Sequence, residues 1–181
     1  MSICRDDVIE TLDALAGPLG PLGSLDERME RQDLWVDHGG VELLETLTAL
    51  VADPPREAQL QHACFDHWRT LLIEVVGTLG KRHPEVALQR LSPLLEDDHA
   101  RAATIDILGG IGDVRAIPDL GRLMRGRRLG ENDLVHLASA LGEIGGDEAC
   151  HLLSQLRLSA MPGQHALRRE IEIAVQAAHC A

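Results

Sequence analysis

Tyrosine does not occur in this chain, phenylalanine occurs once and tryptophan twice, so aromatic residues make up only 2% of the sequence. A β-sandwich draws its strands largely from aromatic and β-branched residues, and a groove for unpaired bases needs rings to stack on. Both are disfavoured here. Lysine is nearly missing as well, one against sixteen arginines, a bias that fits a GC-rich bacterial coding sequence. Cations are scarce overall, with 17 basic against 29 acidic residues and a net charge of −12. Nucleic-acid binding depends on clustered cations that neutralise phosphates, so the balance argues against nucleic acid and for a protein partner with a basic patch. The acidity is concentrated in front, where residues 1–66 hold 14 acidic and 4 basic side chains.

Two further absences bear on location. The four cysteines, Cys4, Cys64, Cys150 and Cys180, include no CxxC pair, so neither a zinc knuckle nor a disulfide framework is predicted and reduced thiols are expected. No apolar run approaches the roughly 20 residues that cross a bilayer; even "TLLIEVVGTLG" is interrupted by Glu74 and two glycines. The opening "MSICRDDVIETLDALAG" follows its single Arg with two Asp and lacks a long apolar core, unlike a signal peptide. The expectation is a cytoplasmic protein with no membrane contact.

What the chain does contain is leucine and alanine, within 45% hydrophobic and 25% charged residues over a length of 181. That composition suits a single all-α domain with one core. Its pattern repeats. Gly77-Thr-Leu79-Gly80, Gly109-Gly-Ile111-Gly112 and Gly142-Glu-Ile144-Gly145 follow one another at intervals of 32 and 33 residues. Each is preceded by a segment of helical period ("WRTLLIEVV", "ARAATIDIL", "DLVHLASAL") and followed by another ("VALQRLSPLL", "RAIPDLGRLM", "EACHLLSQLR"). Each unit is therefore helix, tight turn, helix.

The glycines have distinct duties in this reading. Gly80, Gly112 and Gly145 stand where a first helix should end, a position that commonly takes left-handed backbone. Gly77, Gly109 and Gly142 lie three residues earlier, inside the helix, where glycine costs roughly 1 kcal/mol against alanine; close approach of a neighbouring helix is the expected offset. Asp113 and Asp147 are placed to cap the second helices. Aligned apolar positions are Ala87, Leu88, Leu91, Leu94 and Leu95, then Ala116, Ile117, Leu120, Leu123 and Met124, then Ala149, Cys150, Leu153 and Leu156. The segment "VELLETLTALVAD" repeats the pattern with Leu43, Leu44, Leu47, Leu50 and Val51, paired with "DERMERQDLWVDHGG".

The resulting layout is an N-terminal capping helix over 1–16, a degenerate repeat over 26–53, repeats over 56–98, 99–128 and 131–159, and a closing helix over 165–181. "GPLGPLGS" separates the first two pieces as a turn-forming stretch. Asp53-Pro54-Pro55 stops a helix, and one long helix is predicted from about Arg56 to Leu79.

At "HARAATIDILGGIGDVRAIPDLGRLM" the chain resembles the HEAT-like repeats of phycobilisome lyase proteins and their relatives, well over residues 66–181 and weakly over 26–53. The resemblance implies an α-solenoid, a right-handed superhelix of antiparallel helix pairs with the second helices lining its concave side. It implies less about activity, since that family spans scaffolds, inhibitors, a few enzymes and chromophore-handling proteins. Some proteins of similar architecture are iron hydroxylases that use His-Glu dipeptides, yet none of the nine histidines here precedes a glutamate. Others are DNA glycosylases with basic, aromatic grooves, which this composition does not match.

Chemistry-bearing clusters are few. "GGIGDVRA" follows a helix, lacks a lysine and has Arg115 where a dinucleotide loop needs its third glycine, so it reads as a turn. In "HACFDH", His62 and Asp66, and Cys64 and His67, are spaced to share faces of one helix, but zinc ligands normally converge from separate segments. A helix segment with no metal is expected. The run "RLMRGRRLGEND" concentrates Arg122, Arg125, Arg127 and Arg128 at a helix end, which suits the dipole and offers an anchor for an acidic segment or a phosphate.

Outside the core positions, the second helices would present Glu42, Glu45, Gln89, Arg90, Arg115, Asp119, Arg122, Glu148, His151 and Gln155 as a mixed-charge partner-binding face. No catalytic residues, metal or cofactor are predicted. The function expected is a non-enzymatic protein–protein interaction module, with an inhibitor or immunity-type partner of a basic toxin or enzyme as a special case. The alternative implied by the resemblance is an accessory, lyase-like component of bilin attachment, which would yield a coloured product on co-expression with a bilin source.

Overall fold

The computed structural model describes residues 3–18, 24–126 and 129–180. Among these the regular structure is entirely helical: α1 (Arg5–Ala16), α2 (Leu25–Ala52), α3 (Phe65–Arg82), α4 (Pro84–Leu91), α5 (Arg101–Ile111), α6 (Ile117–Gly126), α7 (Glu131–Ile144), α8 (Gly146–Ser159) and α9 (His165–Ala177). Short 3-10 turns lie at Glu57–Gln59, Ser92–Glu96 and Val114–Ala116. The chain forms two compact units, Met1–Ala87 and Leu88–Ala181, divided within α4. Of the stretch "GPLGPLGS", residues 19–23 lie outside the described residues.

In the first unit, α1 packs on α2 and α3, and α2 on α3. Helix α2 starts at a reciprocal cap: the Glu27 N–H donates to Ser24 Oγ at 3.2 Å, and the Ser24 N–H donates to Glu27 Oε2 at 2.9 Å. Gly40, at φ 55°, breaks α2 into the two segments expected around the Gly-Gly pair. The later segment buries Leu43, Leu44, Leu47, Leu50 and Val51, and α3 buries Trp68, Leu72, Val75, Val76 and Leu79. Both stripes follow the spacing of one helix face.

The helix predicted from Arg56 to Leu79 does not form as one piece. Its first part is the 3-10 turn Glu57–Gln59, and α3 begins only at Phe65. The cause is Asp13, a buried carboxylate on α1 that accepts the backbone N–H groups of Gln61 at 2.7 Å, His62 at 3.0 Å and Ala63 at 2.8 Å. An α-helix through 61–63 would direct those donors to carbonyls four residues back; the carboxylate takes them instead. Gly17 lets this loop close in, since a Cβ there would lie 2.8 Å from His62 Cβ.

Two glycine assignments in α3 also change. Gly80 is not a cap: α3 continues to Arg82, with His83 as its C-cap, and Pro84 opens α4. Proline suits a first helical position because its missing N–H has no partner there in any case, so Pro84 rather than Gly80 marks this corner. Gly77 has nothing within 4 Å of where its Cβ would be, so no close helix approach explains it.

The second unit shows the repeat in register. Helix α5 packs on α7 and α7 on α9, while α6 touches α8. From α5 to α7 the contacts run Arg101–Asp133 at 3.4 Å, Asp106–His136 at 2.6 Å, and Gly109 against Ala140. The partners advance together along both helices, so α5 and α7 run parallel, about one sequence repeat apart. The same holds for α7 and α9, where Gly142 meets Ala174 and Gly145 faces Ala178. A Cβ on Gly109 would lie 2.7 Å from Ala140 Cα, and one on Gly142 would lie 2.8 Å from Ala174 Cα. Here the intrahelical glycines do permit close backbone packing.

The corners behave similarly. Gly112 caps α5 at φ 72°, and Gly145 ends α7 at φ 68° followed by Gly146 at φ 84°. Asp113 caps the turn after α5, accepting the Arg115 N–H at 2.9 Å. Asp147 stands in the first turn of α8, whose N-cap is Gly145. Arg101 is buried and donates to the Leu95 carbonyl at 2.9 Å and to Asp98, so the 3-10 turn Ser92–Glu96 is tied to α5.

Candidate functional site

Helices α6 and α8 belong to consecutive helix–turn–helix units, and a groove of about 340 Å³ opens between them. Ile117, Pro118 and Gly121 line it from α6, and Leu152 from α8. Arg125 lines the α6 side as well, while Asp147, Glu148 and His151 line the α8 side. The floor is apolar and the mouth is charged.

Gly121 keeps this groove open. It sits inside α6, where glycine is unfavourable, and a Cβ there would lie 3.3 Å from Arg125 Nη1 and 3.4 Å from Leu152 Cδ1. A larger side chain would occupy the floor. Asp147 and Glu148 are exposed in the first turn of α8, where the positive end of the helix dipole favours carboxylates. They make no ion pair among the described residues. His151 meets Gln155 at 2.7 Å between side-chain nitrogens, one turn along α8.

A second, more polar concavity of about 430 Å³ lies in the first unit, lined by Ile3, Glu42, Glu45 and Thr46. The ten residues predicted for one partner-binding face are thus distributed over the two units. Glu42 and Glu45 line the acidic concavity of the first, whereas Glu148 and His151 line the groove of the second. Gln89 and Arg90 are exposed on α4. Arg122 pairs with Asp119 at 2.8 Å along α6, and Gln155 with His151. Arg115 pairs with Asp113 at 2.7 Å; this side-chain hydrogen bond, with the Arg115 backbone N–H, holds the Asp113 carboxyl below its ordinary value. Of the arginine run, Arg125 lines the groove, and Arg127 and Arg128 lie outside the described residues.

The cluster "HACFDH" is not one helical face. Cys64 is the N-cap of α3, which leaves His62 and Cys64 ahead of the helix and Asp66 and His67 in its first turn. No group of three His, Cys, Asp or Glu that could hold a metal comes together among the described residues. The cysteines depart from expectation: Cys150 and Cys180 form a disulfide with their Cα atoms 5.5 Å apart, while Cys4 and Cys64 are free and exposed. Separation by 30 residues hid the pair in sequence; stacking of one repeat on the next brings it together.

Gly121 and Pro118 lie outside the ten residues predicted for the partner-binding face. A glycine within a strongly amphipathic helix was the available signal, but its meaning depends on Leu152 opposite. No curated protein and no solved structure matches the chain. The model of the PBS lyase HEAT-like repeat family matches residues 100–126. The match identifies a HEAT-like repeat in α5, its glycine corner and α6, set in a chain whose regular structure is helical among the described residues.

Proposed function

We propose that this chain is a non-enzymatic α-solenoid of HEAT-like repeats that binds a partner protein through its second helices. The groove between α6 and α8 would receive an apolar side chain from a basic partner segment. Its buried Ile117, Gly121 and Leu152, with the exposed Pro118 beside them, favour that side chain by removing apolar surface from water. Asp147 and Glu148 at the mouth favour a neighbouring Lys or Arg. The observation that carries this reading is Gly121: a costly glycine within α6 leaves room for a guest between two helices. HEAT repeats are generally interaction modules, which supports binding over catalysis.

The test is titration of the isotope-labelled protein with short peptides carrying one leucine among arginines, and with matched peptides carrying serine or glutamates. Saturable amide shifts centred on α6 and α8, absent with the matched peptides and lost in Gly121→Val, are the expected result. Shifts that ignore the leucine, or that survive Gly121→Val in a folded protein, would overturn it.

A further inference from the structure

The Cys150–Cys180 bond joins the second turn of α8 to the chain just beyond α9. Helix α9 is the third helix of the parallel series α5, α7, α9. It buries only Leu167, Ile171 and Ala174, and its exposed side mixes Arg168, Arg169 and Glu172 with Ile173. Its two ends are held differently. At the first, Arg168 donates to the carbonyls of Ala160 at 2.9 Å and Met161 at 3.2 Å. At the second, the chain turns through His179 at φ 54°, a left-handed conformation unfavourable for a residue with a Cβ, beside the α7–α8 corner, where Ala178 faces Gly145.

We propose that Cys150 and Cys180 form a reversible redox latch on α9, with a dithiol as its reductant. One thiolate of the dithiol attacks a sulfur of the pair, the Cys150–Cys180 bond breaks, and a mixed disulfide forms. The second thiolate of the dithiol then attacks that mixed disulfide. The products are two protein thiols, which take up protons, and the oxidised dithiol; two electrons have passed to the protein. Both cysteines are half-buried, and Cys180 lies outside regular structure just beyond α9, where opening can be local. Release of the latch relieves the backbone at His179 and frees the last turn of α9, while Arg168 keeps the first turn in place. In a reducing compartment a bond of this kind is transient and regulatory rather than a permanent staple. The inference does not depend on what the α6–α8 groove binds.

The experiment uses the full chain purified without reductant. Peptide mapping should find residues 150 and 180 joined and Cys4 and Cys64 free. Millimolar dithiothreitol under native conditions should open the bond and raise hydrogen exchange at residues 175–180 by about tenfold or more, with protection in α5 retained. Oxidised glutathione should restore protection. Trp35 and Trp68 both lie in the first unit, so tryptophan fluorescence should not change. The Cys180→Ser variant should show the open exchange pattern with or without reductant; reduced wild type gives the same reading if that variant does not fold. The proposal is overturned by a bond that resists dithiothreitol until the protein is denatured. It is equally overturned by opening that leaves exchange unchanged, by loss of protection throughout the second unit, or by four free thiols that oxidised glutathione fails to pair.

Discussion

Asp13 shows how one side chain redirects the chain around it. It is 3% exposed, and burial by itself would raise its pKa, but the three backbone N–H donors of residues 61–63 outweigh that effect and hold the carboxyl below its ordinary value. Because the folded pKa lies below the unfolded value of 3.8, the folded form binds fewer protons there. The associated stability is fully present above the unfolded value and is lost as pH falls through the lower folded one. Asp13→Asn keeps the shape but offers one acceptor oxygen for three donors, so denaturant unfolding at neutral pH should show a loss of about 2–3 kcal/mol. The acid-dependent part of the stability curve due to this group should vanish in the variant. An Asn variant as stable as wild type would show that these hydrogen bonds do not hold the loop.

Among the elements, the glycines of the repeat divide by what lies opposite. Gly142 faces the Ala174 backbone, so Gly142→Ala should lower stability by about 1–2 kcal/mol, overpacking outweighing the gain in helix propensity. Gly77 occupies the equivalent place in its motif but faces open space, and Gly77→Ala should raise stability by up to about 1 kcal/mol. Thermal unfolding of the two variants measures both; equal shifts would mean that helix approach does not distinguish the positions. The apolar stripes and the Gly112 and Gly145 corners were legible in sequence, because period and glycine placement are local signals. The end of α3 was not, because Gly80 and Pro84 compete for that corner and the proline prevailed. The start of α3 depended on Asp13, distant in sequence.

For the whole molecule, a charge of −12 concentrated in the leading third has a kinetic consequence if the partner is basic. Association should slow by roughly tenfold or more between low and physiological salt, while dissociation changes less. Stopped-flow binding at several ionic strengths measures this, and a salt-independent association rate would remove electrostatic steering from the proposed function. Reversing Asp147 and Glu148 tests the groove mouth separately from the acidic residues Glu42 and Glu45 of the first unit.

By itself, the sequence determined that this chain is helical, where most of its buried stripes lie and which glycines end α5 and α7, because helical period and left-handed backbone are written in neighbouring residues. Tertiary structure decided which intrahelical glycines meet another backbone, why α3 starts late, that Gly121 leaves a groove against Leu152, and that Cys150 reaches Cys180. Each of these joins residues about 30 or more positions apart, and no local pattern encodes such a contact until one helix has packed against another.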